Sequence, residues 1–172
     1  MNLANGLSLI RILFVPILLY LLNLNFGAYT SLINLVVFLL IASTDYFDGL
    51  VARLLKCETN WGKFLDPLAD KILVVGVLLF FVSTSKISYV AVLIVITRDF
   101  FVFGLRSLAA SQGIVLKADL FGKVKTVWQY FTVSWLIMGF PFSKEVVLIM
   151  LMLTVLSGLN YFYINKGIFG ND

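Results

Sequence analysis

The chain has 172 residues, enough for one domain, and 61% of them are hydrophobic while only 13% are charged. Soluble domains carry about 25% charged residues, so this composition excludes a surface built for water and makes lipid the solvent to expect. The net charge of +4 comes with no nucleic-acid-binding module, and the lack of histidine excludes Ser–His–Asp and Cys–His catalysis and imidazole metal sites.

A spanning helix needs roughly 20 mostly apolar residues, and in lipid its backbone must bond to itself. No Asp, Glu, Lys or Arg occurs between Ile12 and Thr44, between Thr126 and Ser143, or between Val146 and Asn165. The expected fold class is all-α, a polytopic membrane protein with six transmembrane helices at about 6–23, 29–55, 66–84, 87–111, 124–140 and 145–165. The first carries Ser8 and Arg11, with Asn5 just before it; it has no basic leader, and Arg11 sits inside it, so it does not read as a cleavable signal peptide. Asn23, Asn25 and Gly27 mark the turn to the second helix, which ends in the polar run Asp45, Asp48, Gly49, Ala52 and Arg53.

Cys57, the single cysteine, falls in the next loop and cannot form an intramolecular disulfide. Asp66 followed by Pro67 suits the cap and first turn of the third helix. The fourth helix holds Arg98, Asp99 and Arg106; Lys117 and Lys123 fall in the loop after it, and Lys125 at the start of the fifth helix. No repeat, low-complexity tract or soluble segment intervenes, so residues 1–172 read as a single six-helix transmembrane catalytic domain.

The loops after the second and fourth helices, the adjoining helix ends and the C-terminus hold Arg53, Lys56, Lys63, Arg106, Lys117, Lys123, Lys125 and Lys166, against Lys86 and Lys144 on the other side. By the positive-inside rule this places both termini and those two loops in the cytoplasm of a multi-pass cell-membrane protein. The net positive charge then reads as topology and attraction to anionic membrane lipids.

Five carboxylates, Asp45, Asp48, Asp66, Asp70 and Asp99, lie within or beside apolar helices. At membrane depth each costs at least about 2.5 kcal/mol on insertion scales, which points to function. Asp45, Asp48, Gly49 and Ala52 are spaced i, i+3, i+4, i+7 and share a helical stripe; Asp66 and Asp70, spaced i, i+4, share another. Four carboxylates gathered at one membrane face repel unless cations neutralise them. All-oxygen ligation favours Mg²⁺, Mn²⁺ or Ca²⁺, and a metal pair is the usual arrangement for phosphoryl displacement. The plainer reading is that these residues are interfacial caps paired with Arg53, Lys63 and Lys71.

Asp45-Tyr-Phe-Asp48-Gly49-Leu-Val-Ala52-Arg53, with Gly62, Asp66 and Asp70 following at fixed spacing, resembles the signature of the CDP-alcohol phosphotransferase family at every fixed position. The resemblance implies a six-helix membrane enzyme, a homodimer, in which Asp45, Asp48, Asp66 and Asp70 bind two divalent ions, Mg²⁺ or alternatively Mn²⁺. It further implies that Gly49, Ala52 and Gly62 make room for the cytidine nucleotide, that Arg53 steadies its phosphates, and that Asp70 is the general base. Asn5 and Ser8 fall in an N-terminal segment similar to the family's nucleotide-binding helix, although Ser8 stands where Thr is more usual and Ala4 where Pro is common.

The segments Gly62–Lys71, Thr97–Arg106, Ala110–Gly113 and Gly122–Thr126 resemble the branch of the family that joins CDP-diacylglycerol to glycerol 3-phosphate, giving phosphatidylglycerophosphate and CMP. That acceptor is an anion, and Arg98, Arg106, Lys123 and Lys125 form a cationic concentration suited to its phosphate. Arg98 and Arg106 lie about 80° apart on an ideal helix, which allows both to face one cavity. Positive-inside anchoring accounts for the same residues more plainly, and Asp99 pairs with a nearby base or touches substrate. Two other classes stay open: a family enzyme using inositol phosphate, serine or an amino alcohol, and a small membrane cation transporter, which also carries acidic residues in apolar helices. A prenyltransferase fits the Gly-x-x-Ala-Arg element poorly.

Overall fold

A computed structural model describes residues 3–24, 27–54, 60–111, 113, 116 and 120–165; the side chains of 3–9, 45–54 and 60–67 lie outside the described residues. The described chain is helical: α1 (Leu3–Asn23), a 3₁₀ turn (Gly27–Tyr29), α2 (Thr30–Leu54), α3 (Asn60–Ser83), α4 (Tyr89–Ser111), α5 (Leu120–Met138) and α6 (Ser143–Asn165). No strand occurs among the described residues.

Two starts differ from expectation. α3 begins at Asn60, so Asp66 and Pro67 sit in its second turn and Asp66 is not its cap. A proline there removes only the bond to the Lys63 carbonyl. α5 begins at Leu120 rather than near residue 124, so Lys123 belongs to its first turn and not to the loop, and Lys125 to its second turn. Charge was the wrong guide there, because lysine is a good helix former and Lys125 is paired inside the fold.

The helix ends follow from local chemistry. Asn23 Nδ2 donates to the Leu19 carbonyl (3.0 Å) at the end of α1, and Thr30 Oγ1 donates to the Gly27 carbonyl (2.8 Å) at the start of α2. α5 stops in a Schellman turn: Gly139 has φ +69°, its N–H donates to the Leu136 carbonyl (3.2 Å), and Phe140 N–H donates to the Trp135 carbonyl (3.4 Å). The hydrophobic contact that accompanies such turns is Trp135 edge-on to Phe140, ring centroids 4.9 Å apart.

The chain forms two compact units, Met1–Phe81 with Val133–Phe140, and Val82–Thr132 with Pro141–Asp172. In the first, α1 packs on α2 around Val15, Leu18, Phe38 and Ile41. α3 comes so close to α1 at Gly76 that a Cβ there would lie 2.9 Å from Val15 Cγ1. In the second, α4 packs on α6 around Val95, Val102, Met150 and Tyr161.

Polarity in both units is inverted relative to a water-soluble protein. Leu13, Leu40, Leu79, Leu93, Val127 and Leu156, one on each helix, are exposed, whereas Arg11, Asn34, Asp99, Lys125, Gln129 and Ser157 are buried. Exposed apolar faces on this scale belong against a membrane. Gly27–Thr44 and Ser143–Asn165 are long and apolar enough to cross one.

Candidate active site

In the second unit, α4, α5 and α6 assemble a cationic cluster around one carboxylate. Asp99, on α4, is buried, and the Nζ of buried Lys125, on α5, donates to its two oxygens at 2.6 and 2.7 Å. Arg98 Nη1 donates to Asp99 Oδ1 at 3.0 Å, and its Nη2 makes a short hydrogen bond to Ser157 Oγ on α6. Two cations on one carboxylate leave a net charge of one, held away from bulk water. Desolvating three charges is costly, and only mutual pairing and hydrogen bonds offset it.

Glycines make the room that Arg98 occupies. A Cβ at Gly158 on α6 would stand 3.1 Å from Arg98 Cγ, and one at Gly122 on α5 would stand 3.7 Å from its Nη2. Arg98 thus spends both terminal nitrogens on the protein, and its Nε is buried with no partner among the described residues. Arg106, two turns further along α4, is exposed. Its Nε donates to Tyr161 OH (3.1 Å), and its guanidinium carbon lies 5.3 Å from the Tyr161 ring centroid. Lys123 is exposed in the first turn of α5.

The first unit holds the aspartate motif. α2 carries Asp45 and Asp48 one turn apart, with Gly49, Ala52 and Arg53 after them, and α3 carries Gly62, Asp66 and Asp70. The side chains of Asn5, Ser8, Asp45, Asp48, Gly49, Ala52, Arg53, Gly62 and Asp66 lie outside the described residues, as does Cys57 altogether. Asp70 is half-buried. Among the described residues no three acidic, histidine or cysteine side chains cluster. The helical register nonetheless gives two carboxylate pairs, each a turn apart, and an all-oxygen donor set of this kind fits a hard divalent cation. Beside the motif, Arg11 is buried on α1 and its Nε donates to Thr44 Oγ1 (3.0 Å), the residue before Asp45.

Sequence reasoning singled out Arg98, Arg106, Lys123 and Lys125, and all four lie in the second unit. It did not find Ser157 and Tyr161, because single hydroxyls in an apolar helix carry no charge signal. That Ser157 meets Arg98 and Tyr161 meets Arg106 on the neighbouring helix is visible only after packing.

Inward polar clusters inside an apolar exterior, with the aspartate motif on α2 and α3, define an α-helical membrane enzyme. A sequence model described as CDP-alcohol phosphatidyltransferase matches residues 1–158, and the chain belongs to that family. Membership implies a divalent metal. The chain is 35% identical over 180 residues to the CDP-diacylglycerol–glycerol-3-phosphate 3-phosphatidyltransferase of Bacillus subtilis (strain 168), covering 94% of this chain and 93% of that protein. It is 32% identical to the protein of the same name from Rickettsia bellii (strain RML369-C), covering 94% and 93%. A probable phosphatidylglycerophosphate synthase of Mycobacterium tuberculosis (strain CDC 1551 / Oshkosh) is 30% identical, covering 93% of this chain and 79% of that protein.

Proposed function

We propose that this chain transfers the phosphatidyl group of CDP-diacylglycerol to glycerol 3-phosphate, producing phosphatidylglycerophosphate and CMP in phospholipid biosynthesis. The observation that carries the reading is the near-full-length similarity to proteins named for this reaction, in a chain that also presents an inward cationic cluster for an anionic acceptor. On this reading residues 1–172 are one catalytic domain with six membrane crossings. The active site and both termini are cytoplasmic, and the enzyme is a homodimer in the cell membrane.

Asp45, Asp48, Asp66 and Asp70 hold the metal, taken to be two Mg²⁺ ions with Mn²⁺ as a substitute. A metal bound there would supply positive charge to neutralise the diphosphate and the charge that develops on departing CMP. Gly49, Ala52 and Gly62, lacking bulk, admit the flat cytidine; Arg53 binds its phosphates, and Asn5 and Ser8 line the same nucleotide. The primary hydroxyl oxygen of glycerol 3-phosphate bonds to the β-phosphorus, and the bond from that phosphorus to CMP breaks. Asp70 takes the hydroxyl proton.

Arg98, Arg106, Lys123 and Lys125 hold the acceptor's own phosphate. Exposed Arg106 and Lys123 are available for direct contact, while Arg98 and Lys125, with Asp99, supply the net positive field behind them.

Purified protein given labelled CDP-diacylglycerol and a panel of acceptors, with CMP and lipid product both detected, tests the assignment. Glycerol 3-phosphate should give the highest kcat/KM, and free glycerol, lacking the phosphate, should be very poor. If serine, inositol phosphate or glycerol outcompetes it, the assigned acceptor is wrong although the family stands.

A further inference from the structure

Arg98 and Arg106 come from the same face of α4 and both reach hydroxyls of α6, at Ser157 and Tyr161, one turn apart. What the fold leaves them differs. Arg98 has its terminal nitrogens engaged and its side chain 13% exposed, whereas Arg106 is exposed and held by the protein through Nε. A guanidinium clamps a phosphate in two ways, by the edge formed from Nε and one terminal nitrogen, or by the end formed from both terminal nitrogens. At Arg106 the Nε donor already goes to Tyr161 OH, so the two-nitrogen end is the one presented.

Tyr161 is itself rigid. It is 1% exposed in the core of the second unit, and Asn165 Nδ2 donates to its carbonyl at 2.8 Å. Its ring lies 5.3 Å from the guanidinium carbon, within cation–π range. An exposed arginine otherwise samples many rotamers, and a ligand that orders it bears that entropy. A tyrosine fixed from below, gripping one edge, removes much of the cost before the anion arrives.

We infer that Tyr161 is a positioning residue for acceptor binding, fixing the Arg106 guanidinium so that its two terminal nitrogens together meet the phosphate of the phosphorylated alcohol. The inference rests on Arg106 as an acceptor-phosphate ligand and goes beyond it by giving α6 a part in acceptor recognition.

Tyr161→Phe keeps the ring and removes the hydroxyl. Initial rates at saturating CDP-diacylglycerol should show the KM for glycerol 3-phosphate raised about three- to tenfold, the size of one lost orienting hydrogen bond. The kcat and the donor KM should stay nearly unchanged. In an Arg106→Ala background, Tyr161→Phe should add nothing, because the group it positions is gone.

An unchanged acceptor KM in Tyr161→Phe, with a raised one in Arg106→Ala, overturns the role of Tyr161 and leaves Arg106 in place. An unchanged acceptor KM in Arg106→Ala removes the underlying reading as well. Fully additive effects, or a fall in kcat and thermal stability together with both KM values, reduce Tyr161 to a packing residue and count equally against the inference.

Discussion

Replacing Asp99 by Asn keeps the shape of the side chain and removes the charge around which α4, α5 and α6 are tied. Asp99 is 5% exposed and Lys125 is 2% exposed, so the ammonium that donates to both carboxylate oxygens has little access to water when the charge is lost. Breaking a buried pair by removing one partner costs about 3–5 kcal/mol. For a chain of this length each kcal/mol moves Tm by about 2–4 °C, so Asp99→Asn should lower Tm by about 6–20 °C. Lys125→Met leaves Asp99 paired with Arg98 and should cost less, about 1–3 kcal/mol. The double variant removes both charges of the tightest pair but leaves Arg98 without its carboxylate, so it should recover only part of the loss. Tryptophan fluorescence during heating in detergent or nanodiscs measures all three. A Tm change below about 2 °C in Asp99→Asn, or a double variant less stable than that single one, would refute the account of the cluster.

The aspartate motif predicts that EDTA abolishes turnover and that Mg²⁺ or Mn²⁺ restores it. Asp45→Asn and Asp66→Asn should lose several orders of magnitude in rate while still inserting, and full metal-independent activity would sink the assignment. Asp70→Asn should retain some donor binding and lose at least roughly 10²–10⁴-fold in kcat, the range for general-base assistance; a variant altered chiefly in acceptor KM would argue against the base. The eight basic residues assigned to one side against two on the other predict that a membrane-impermeant thiol reagent reaches Cys57 only after the membrane is opened, and labelling in intact cells contradicts that orientation.

The helices were legible because long charge-free blocks leave a lipid-embedded backbone few alternatives. Their starts were less so. Pro67 reads as a beginning because proline is favoured in a first turn, yet α3 starts at Asn60. Lys123 reads as loop because it is charged, yet it is in the first turn of α5, and Lys125 a turn on is buried. The aspartate motif stood out because its carboxylates come as two pairs, each pair one helical turn apart, at the spacing of a family signature. The Asp99–Lys125 pair spans 26 residues and the Arg98–Ser157 bond 59, separations at which no local period exists. Asp99 therefore announced itself as an anomaly without naming its partners, and Ser157 and Tyr161 did not announce themselves.

The bond from Arg11 to Thr44 bears on how the polypeptide enters the bilayer. An arginine near the middle of a spanning helix costs about 2.5–3.5 kcal/mol on insertion scales, and Arg11 is the ninth residue of the 21-residue α1. When α1 has just left the ribosome, the α2 hydroxyl that will receive its guanidinium has not yet been delivered. On the six-crossing reading proposed above, α1 alone is a reluctant passenger, and the hairpin of α1 and α2 is the smallest piece that would partition into lipid with its arginine sheltered. The residue that closes this hairpin is followed directly by Asp45, so on that reading the step that settles the nascent chain in the membrane would also set the depth at which the aspartate segment begins.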